Sequence, residues 1–169
     1  EDLNWLRLIV QVICDSTLVR SSPGKCRVQF KLSKQRKIER LKKLLEDLSI
    51  PYTFKLCKKT GVNKLQPYYI RIYGQHAKNI FRYLNETKEF PSYWQNLNRI
   101  ELAAVLEELK NTDGDSTSEN LDLVSTSFKD LSTIQTACIK NNINAHINEI
   151  GNLSGFKNGR LQYRLIAEF

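Results

Sequence analysis

Apolar residues recur along the chain with two spacings, and these spacings predict alternating helices and strands. In residues 2–14 the apolar side chains fall every three to four positions, which is the helical period, and Asp2 stands at the N-cap position. In residues 25–32 apolar and polar residues alternate, which predicts a strand with one buried face. The same patterns predict a strand at 17–19, a helix at 34–48 capped by Ser33, strands at 52–57 and 68–73, and a helix at 75–84.

After a polar connector the order of elements begins again. The pattern predicts a helix at 99–112 capped by Asn98, a strand at 121–126, a helix running from its cap Ser127 through residue 142, and strands at 145–150 and 161–166. We therefore expect two related halves, residues 1–85 and 99–169, joined by a linker at 86–98. The predicted fold class is α+β, a pseudo-twofold αββαββα duplicate with two antiparallel sheets.

Charge is distributed unevenly between these halves. The 169 residues carry a net charge of +8, but residues 1–98 hold 19 Lys or Arg against 8 Asp or Glu, while residues 99–169 are net acidic. A strongly basic half favours a polyanionic partner. Alternation in residues 25–32 places Lys25, Arg27, Gln29 and Lys31 on one strand face, a pattern that suits the DNA major groove. The predicted DNA-binding residues are Arg20, Lys25, Arg27, Gln29, Lys31, Lys55, Lys58, Arg71, Arg160 and Arg164.

Two aspartates end the first predicted helix of each half. Asp15 and Asp113 are candidates for a shared site, because packing the two helices together would bring both carboxylates to the pseudo-twofold axis. A carboxylate at a helix C-terminus faces the negative end of the helix dipole, and a divalent cation would relieve that repulsion. Such an ion stabilises the attacking and leaving oxygens of phosphodiester hydrolysis, so this pattern favours a nuclease.

Other classes of protein are less compatible with the sequence. No apolar run approaches the ~20 residues that span a bilayer, so we expect no membrane partner. Four cysteines and two histidines lie too far apart in sequence for a zinc site. We expect reduced thiols in a cytoplasmic setting, not a secreted protein.

The two motifs carry a family resemblance that covers nearly the whole chain. The segments LIVQVICDS at 8–16 and LEELKNTDG at 106–114 stand 98 residues apart, each followed by the same elements. The sequence resembles the single-chain, two-motif LAGLIDADG homing endonucleases, particularly endonuclease domains embedded in phage inteins. CRVQFKL at 26–32 and Ser125-Thr126-Ser127 carry the likeness in the flanks.

The resemblance implies a monomeric pseudo-dimer in which two four-stranded sheets form a saddle on double-stranded DNA, with the motif helices at the interface. It implies Mg²⁺-dependent cleavage of both strands at a long asymmetric site, with Mn²⁺ or Ca²⁺ able to replace Mg²⁺ for binding. Asp15 and Asp113 would be the metal ligands. The candidates for assisting catalysis are Lys31, Lys34, Lys129 and Gln135.

The motifs also depart from the family pattern. Small residues usually let the two motif helices pack closely, but Ile9 and Val10 are bulky and Glu107 and Glu108 are charged. The alternative is therefore a catalytically degenerate DNA- or RNA-binding module of the same fold, such as a maturase or regulator.

Overall fold

The protein forms two compact units, Glu1–Glu89 and Phe90–Phe169, each built from one antiparallel sheet and its helices. The computed structural model describes residues 1–22, 25–57, 66–112, 120–151 and 161–168. Three residues with predicted roles, Lys58, Asp113 and Arg160, lie outside these ranges. The predicted α+β class with two antiparallel sheets is confirmed.

The first unit contains a four-stranded sheet in the order β1-β2-β4-β3, with antiparallel neighbours throughout. Its elements are α1 (Leu3–Asp15), β1 (Ser16–Ser22), β2 (Lys25–Leu32), α2 (Gln35–Asp47), β3 (Thr53–Leu56), β4 (Tyr68–Tyr73) and α3 (Gly74–Tyr83). The alternation in β2 predicted one buried face, and Val28 and Phe30 are indeed fully buried. Ile70 and Ile72 lie opposite them on β4 and are equally buried. One face of the sheet is thus fixed against the core, and the odd-numbered residues of β2 and β4 occupy the other.

Helix α1 begins with a side-chain cap and is buried on most of its circumference. The Asp2 carboxylate accepts hydrogen bonds from the backbone N–H groups of Asn4 and Trp5, at 2.8 and 3.1 Å. Five apolar residues and Gln11 are buried along the helix. A helix that is apolar on nearly every side belongs to a core rather than a surface.

The second unit contains a three-stranded sheet in the order β5-β7-β6. Its elements are a 3₁₀ turn (Ser92–Asn96), α4 (Arg99–Thr112), β5 (Leu121–Ser125), α5 (Phe128–Lys140), β6 (Asn144–Gly151) and β7 (Gln162–Glu168). The resemblance implied four strands here. The part of the chain that the structure describes holds three strands in this sheet. Residues 113–119, which lie between α4 and β5, are outside the described ranges.

Three of the four predicted helix caps are present. Asn98 forms a capping box, accepting from Ile100 and Glu101 N–H at 2.9 and 3.0 Å while its own N–H donates to the Glu101 carboxylate. Ser127 accepts from the Asp130 N–H at 3.2 Å. The predicted Ser33 cap is wrong. Helix α2 begins one residue later, so Lys34 occupies the N-cap position and no side chain caps the helix.

Among the described residues, none of the helices is both long and apolar enough to cross a membrane.

Candidate nucleic-acid interface

The face of the first sheet that points away from its core is lined by polar and basic side chains. Strand alternation and register place cations on β2, β4 and β3 together. The cations of this outer face are Lys25, Arg27, Lys31, Arg71 and Lys55. None of the described strand residues that share the face is Asp or Glu. The outer face is therefore a surface of one sign of charge, which attracts a polyanion.

Arg71 lies near the middle of this outer face in a fixed orientation. It is the cross-strand neighbour of Gln29, and its Nε donates to the Gln29 Oε1 at 2.7 Å. Its guanidinium carbon also lies 4.6 Å from the centre of the Tyr69 ring. A hydrogen bond in the plane and a ring against the face hold the guanidinium as a preorganised donor group.

The hydroxyl of Tyr73 lies among polar and positively charged groups of the same face. Partial burial raises the pKa of its hydroxyl. Polar interactions with Thr53 and Arg71, and the positive charges of Arg71 and Arg27, outweigh that effect, so the pKa lies below its ordinary value. Arg71 and Arg27 therefore both act on one hydroxyl of this face.

Arg20, a predicted DNA-binding residue, lies on the opposite side of the sheet. It pairs across the hairpin with Cys26 rather than with Arg27, so alternation turns it toward the helices. There its guanidinium forms an ion pair with Glu86 and lies 5.9 Å from the centre of the Phe81 ring. The structure thus places Arg20 on the other side of the sheet from Arg27, Lys31, Lys55 and Arg71.

Asp15, the last residue of α1, is held by a lysine that the sequence analysis did not select. The Lys37 Nζ donates to both carboxylate oxygens of Asp15 at 2.8 Å. The side chains of Lys37 and Asp15 are only 16% and 18% exposed. Lys31 and Lys34, the selected lysines, are exposed on β2 and at the N-cap of α2.

A sequence signal for Lys37 was present. It precedes Ile38 and lies four residues before Leu41, two buried positions of α2, so it flanks the apolar stripe of that helix. Since α2 packs against α1, a polar residue at the edge of this stripe reaches the end of α1.

Asp15 offers the kind of ligand that a hard divalent cation prefers. A carboxylate has about four acceptor sites on its two oxygens, and Lys37 occupies one on each. Within the described ranges, no three His, Cys, Asp or Glu side chains cluster as a metal site. Because Mg²⁺ is commonly bound by one or two carboxylates together with phosphate and water, Asp15 fits it as one ligand of a site.

The outer face of the second sheet differs in charge from that of the first. Arg164 lies opposite Val124 and Asn148, and its guanidinium forms a forked ion pair with Asp122. The hydrogen bond and charge of Asp122 raise the pKa of Arg164. This predicted DNA-binding cation is thus already neutralised by a neighbour on its own sheet.

The two catalytic candidates of the second unit both lie on α5. Lys129 is exposed in the first turn of the helix. Gln135 is half-buried, and its Nε2 donates to the backbone carbonyl of Ala145 at 3.2 Å, which ties the helix to β6. The amide of Gln135 therefore holds two elements of the unit together.

Comparison with known proteins gives agreement in fold without agreement in sequence. No protein-family profile matches the chain, and no curated protein matches it. Among solved structures, the homing endonuclease I-DmoI in complex with DNA and Mn is similar over 98% of this chain and 89% of its own, with a TM-score of 0.65 and 15% identity.

Two further structures extend the likeness. The homing endonuclease I-WcaI bound to its DNA recognition sequence gives a TM-score of 0.59 at 16% identity, over 99% of this chain and 76% of its own. The N-terminal LAGLIDADG domain of DUF199/WhiA gives 0.57 at 14% identity, over 96% and 74%. The resemblance expected from the motifs is thereby confirmed at the level of structure, and the chain has the LAGLIDADG fold.

Proposed function

We propose that this protein is a site-specific DNA endonuclease that binds double-stranded DNA through the outer face of its first sheet and cleaves it with the help of a divalent cation. The observation that carries the proposal is the outer face itself, with five cations on three adjacent strands. A strand face that carries Arg, Gln and Lys suits the major groove, where Arg and Gln read base edges and Lys neutralises phosphates.

The roles of individual residues follow from their positions. Exposed Lys31 and Lys55 lie on either side of Tyr69 in one cross-strand row of the outer face, where they would contact phosphates. Arg71, oriented by Gln29, would contact a base. DNA-bound structures of the same fold, those of I-DmoI and I-WcaI, support DNA as the partner.

For cleavage, Asp15 and Asp113 would hold the divalent cation. A bound Mg²⁺ would stabilise negative charge as a phosphodiester bond is hydrolysed. Lys37 holds the Asp15 carboxylate in one orientation through two hydrogen bonds, so that the ligand is ready before DNA arrives. If the phosphate that is attacked lies beside Asp15, the Lys37 ammonium would add positive charge next to it.

A second candidate function is favoured by the same ion pair. Because Lys37 already neutralises Asp15, the carboxylate has less need of a cation than an unpaired one would have. The protein would then bind DNA without cutting it, as the degenerate binding module of the same fold would do.

Plasmid nicking separates the two functions. We expect the protein to convert supercoiled plasmid carrying a selected binding site to nicked and linear forms in Mg²⁺ but not in EDTA. Asp15→Asn and Asp113→Asn would each abolish cleavage while leaving binding to the labelled site intact. Asp47→Asn, a carboxylate exposed at the end of α2, is the matched control and should cut normally.

The same experiment tests DNA binding and DNA cleavage separately. A protein that binds the site at low salt yet never cuts it in Mg²⁺ or Mn²⁺ contradicts the nuclease and leaves the binding module. A protein without salt-dependent affinity for any duplex contradicts both.

A further inference from the structure

A cavity of about 270 Å³ lies on the helix side of the first sheet, at the end of the β1–β2 hairpin where β1 leads into β2. It does not include Asp15, and Lys25 is the one cation of the outer face that also reaches its wall. The side chains used in the argument are Arg20, Lys25, Lys78, Phe81, Arg82 and Glu86. Four of these are cations and one is an anion, so the cavity wall has a surplus of three positive charges.

The surplus is not cancelled by neighbouring carboxylates. Arg20 pairs with Glu86, which accounts for the anion of the wall. In the part of the chain that the structure describes, Lys25, Lys78 and Arg82 take part in no ion pair. Three ammonium or guanidinium groups therefore face one small volume without a counter-charge.

Local geometry makes this arrangement unfavourable by itself. Lys78 and Arg82 lie four residues apart on α3, so both project from the same side of the helix. Like charges at this spacing repel each other and destabilise a helix. An anion bound between them would convert the repulsion into attraction.

Arg20 contributes a guanidinium that has two neighbours on this wall. It forms an ion pair with Glu86 and lies 5.9 Å from the centre of the ring of buried Phe81. Its side chain is 56% exposed, so the guanidinium remains accessible to an anion. The cavity is smaller than the pockets of about 300–1,000 Å³ that hold drug-sized ligands, so it suits a compact group.

We infer that this cavity binds a phosphate or diphosphate group. Arg and Lys donors around one small volume match the several acceptor oxygens and multiple charge of such a group. The group belongs either to a free ligand such as pyrophosphate or to a nucleic-acid backbone, and the two sources are distinguished by experiment. The inference does not rest on the proposed nuclease activity, since it uses neither Asp15 nor Lys37 and its test does not measure cleavage.

Alkylation of Cys26 provides the test, because this half-buried thiol also lines the cavity. The rate of N-ethylmaleimide labelling would be followed by peptide mass spectrometry with pyrophosphate present. At a ligand concentration about tenfold above Kd, the fraction of free sites falls about elevenfold, so labelling of Cys26 should slow by the same factor. Cys14, which is also half-buried but does not line the cavity, is the internal reference. Sodium chloride at equal ionic strength is the control for screening.

Matched variants locate the effect. The double variant Lys78→Gln, Arg82→Gln should lose the protection, and Lys43→Gln, exposed on α2, should keep it. Circular dichroism and the Tm of each variant show that it is folded before it is labelled. Because Lys78 and Arg82 repel each other, the double variant is not expected to unfold.

Three outcomes are informative. Protection by pyrophosphate supports a free ligand. Protection by a short duplex alone supports the phosphate of a nucleic-acid backbone. Equal labelling with and without both ligands, or equal protection by chloride, overturns the inference, and none of these results depends on whether the protein cuts DNA.

Discussion

The side chain of Arg71 is held by more contacts than those of the other cations of the outer face. Its Nε is bound to Gln29 at 2.7 Å, and the Tyr69 ring lies against its guanidinium. Arginine differs from lysine because its planar group can make two parallel hydrogen bonds, and guanine presents O6 and N7 to such a fork. At the scale of a single residue, the structure therefore distinguishes an oriented arginine from the exposed lysines of the same face.

We predict that Arg71→Lys removes a base preference while it preserves affinity for unspecific duplex. Selection from a randomised DNA library should show one G·C position for the native protein and no preference at that position for the variant. The loss corresponds to about 1–3 kcal/mol of discrimination. Lys55→Arg, the reciprocal change on the same face, should leave the selected sequence unchanged. An unaltered preference in Arg71→Lys would show that another group reads the base.

Cys138 is a residue whose chemistry is set by burial. It is fully buried on α5, and this burial raises the pKa of its thiol to about 11. At pH 8 only about a thousandth of this thiol is ionised, so Cys138 should not be alkylated in the folded protein at that pH.

The same shift predicts a pH dependence of stability. The unfolded thiol loses its proton at its ordinary pKa while the folded thiol keeps it, so the free energy of unfolding falls as the pH rises from that value toward about 11. Urea unfolding of Cys138→Ala, compared with the native protein at successive pH values, should show a smaller decline across this window. Parallel curves would contradict the assignment.

At the scale of elements, helix caps were accurately predicted where the capping residue directly precedes the apolar period. Asn98 and Ser127 meet this condition, and both accept hydrogen bonds from the first turns of α4 and α5. Ser33 was predicted on the same grounds but lies one position too early, because α2 begins at Gln35. Tertiary contacts can move the start of a helix by one residue, and a sequence pattern does not resolve a difference of that size.

The two serines provide a matched pair. We predict that Ser127→Ala lowers the free energy of unfolding by about 1 kcal/mol, because it removes a side-chain cap. Ser33→Ala should change it by less than about 0.5 kcal/mol, because that hydroxyl caps no helix. Urea denaturation with unchanged m-values measures both. A larger effect at Ser33 than at Ser127 would contradict the structural assignment of the caps.

At the scale of the whole molecule, the two halves of the chain differ in net charge, and the outer faces of their sheets differ in the same sense. The first unit presents five cations on one face, whereas the described cation of the second sheet's outer face, Arg164, is paired with Asp122. Affinity for a polyanion should therefore come mainly from the first unit. Each phosphate contact contributes about −0.9 to the slope of log K against log salt concentration for duplex DNA.

We predict that Lys31→Gln and Lys55→Gln each reduce that slope by about 0.9, and that together they reduce it by about 1.8. Fluorescence anisotropy with a labelled duplex at several salt concentrations measures the slope. Arg164→Gln is the comparison, and it should alter the slope less because its charge is already compensated. Equal effects from all three variants would show that both sheets contribute alike.

The sequence by itself determined the elements, their order and the presence of two sheets. Helical and alternating periods are local properties, so residues 25–32 and 99–112 were predicted with the bounds that the structure shows. It also determined that the first half is basic, because net charge needs only a count. The motif resemblance indicated the fold, and the structural comparison confirmed it at 14–16% identity.

Tertiary structure alone decided which side chains meet. The Asp15–Lys37 pair joins residues 22 positions apart, and the Arg71–Gln29 pair joins residues 42 apart, so neither lies within a local period. The hairpin register turned Arg20 away from the outer face and into a cavity with Lys78 and Arg82. Such contacts depend on strand register and helix packing, which sequence patterns restrict but do not fix, because a shift of one residue exchanges the two faces of a strand.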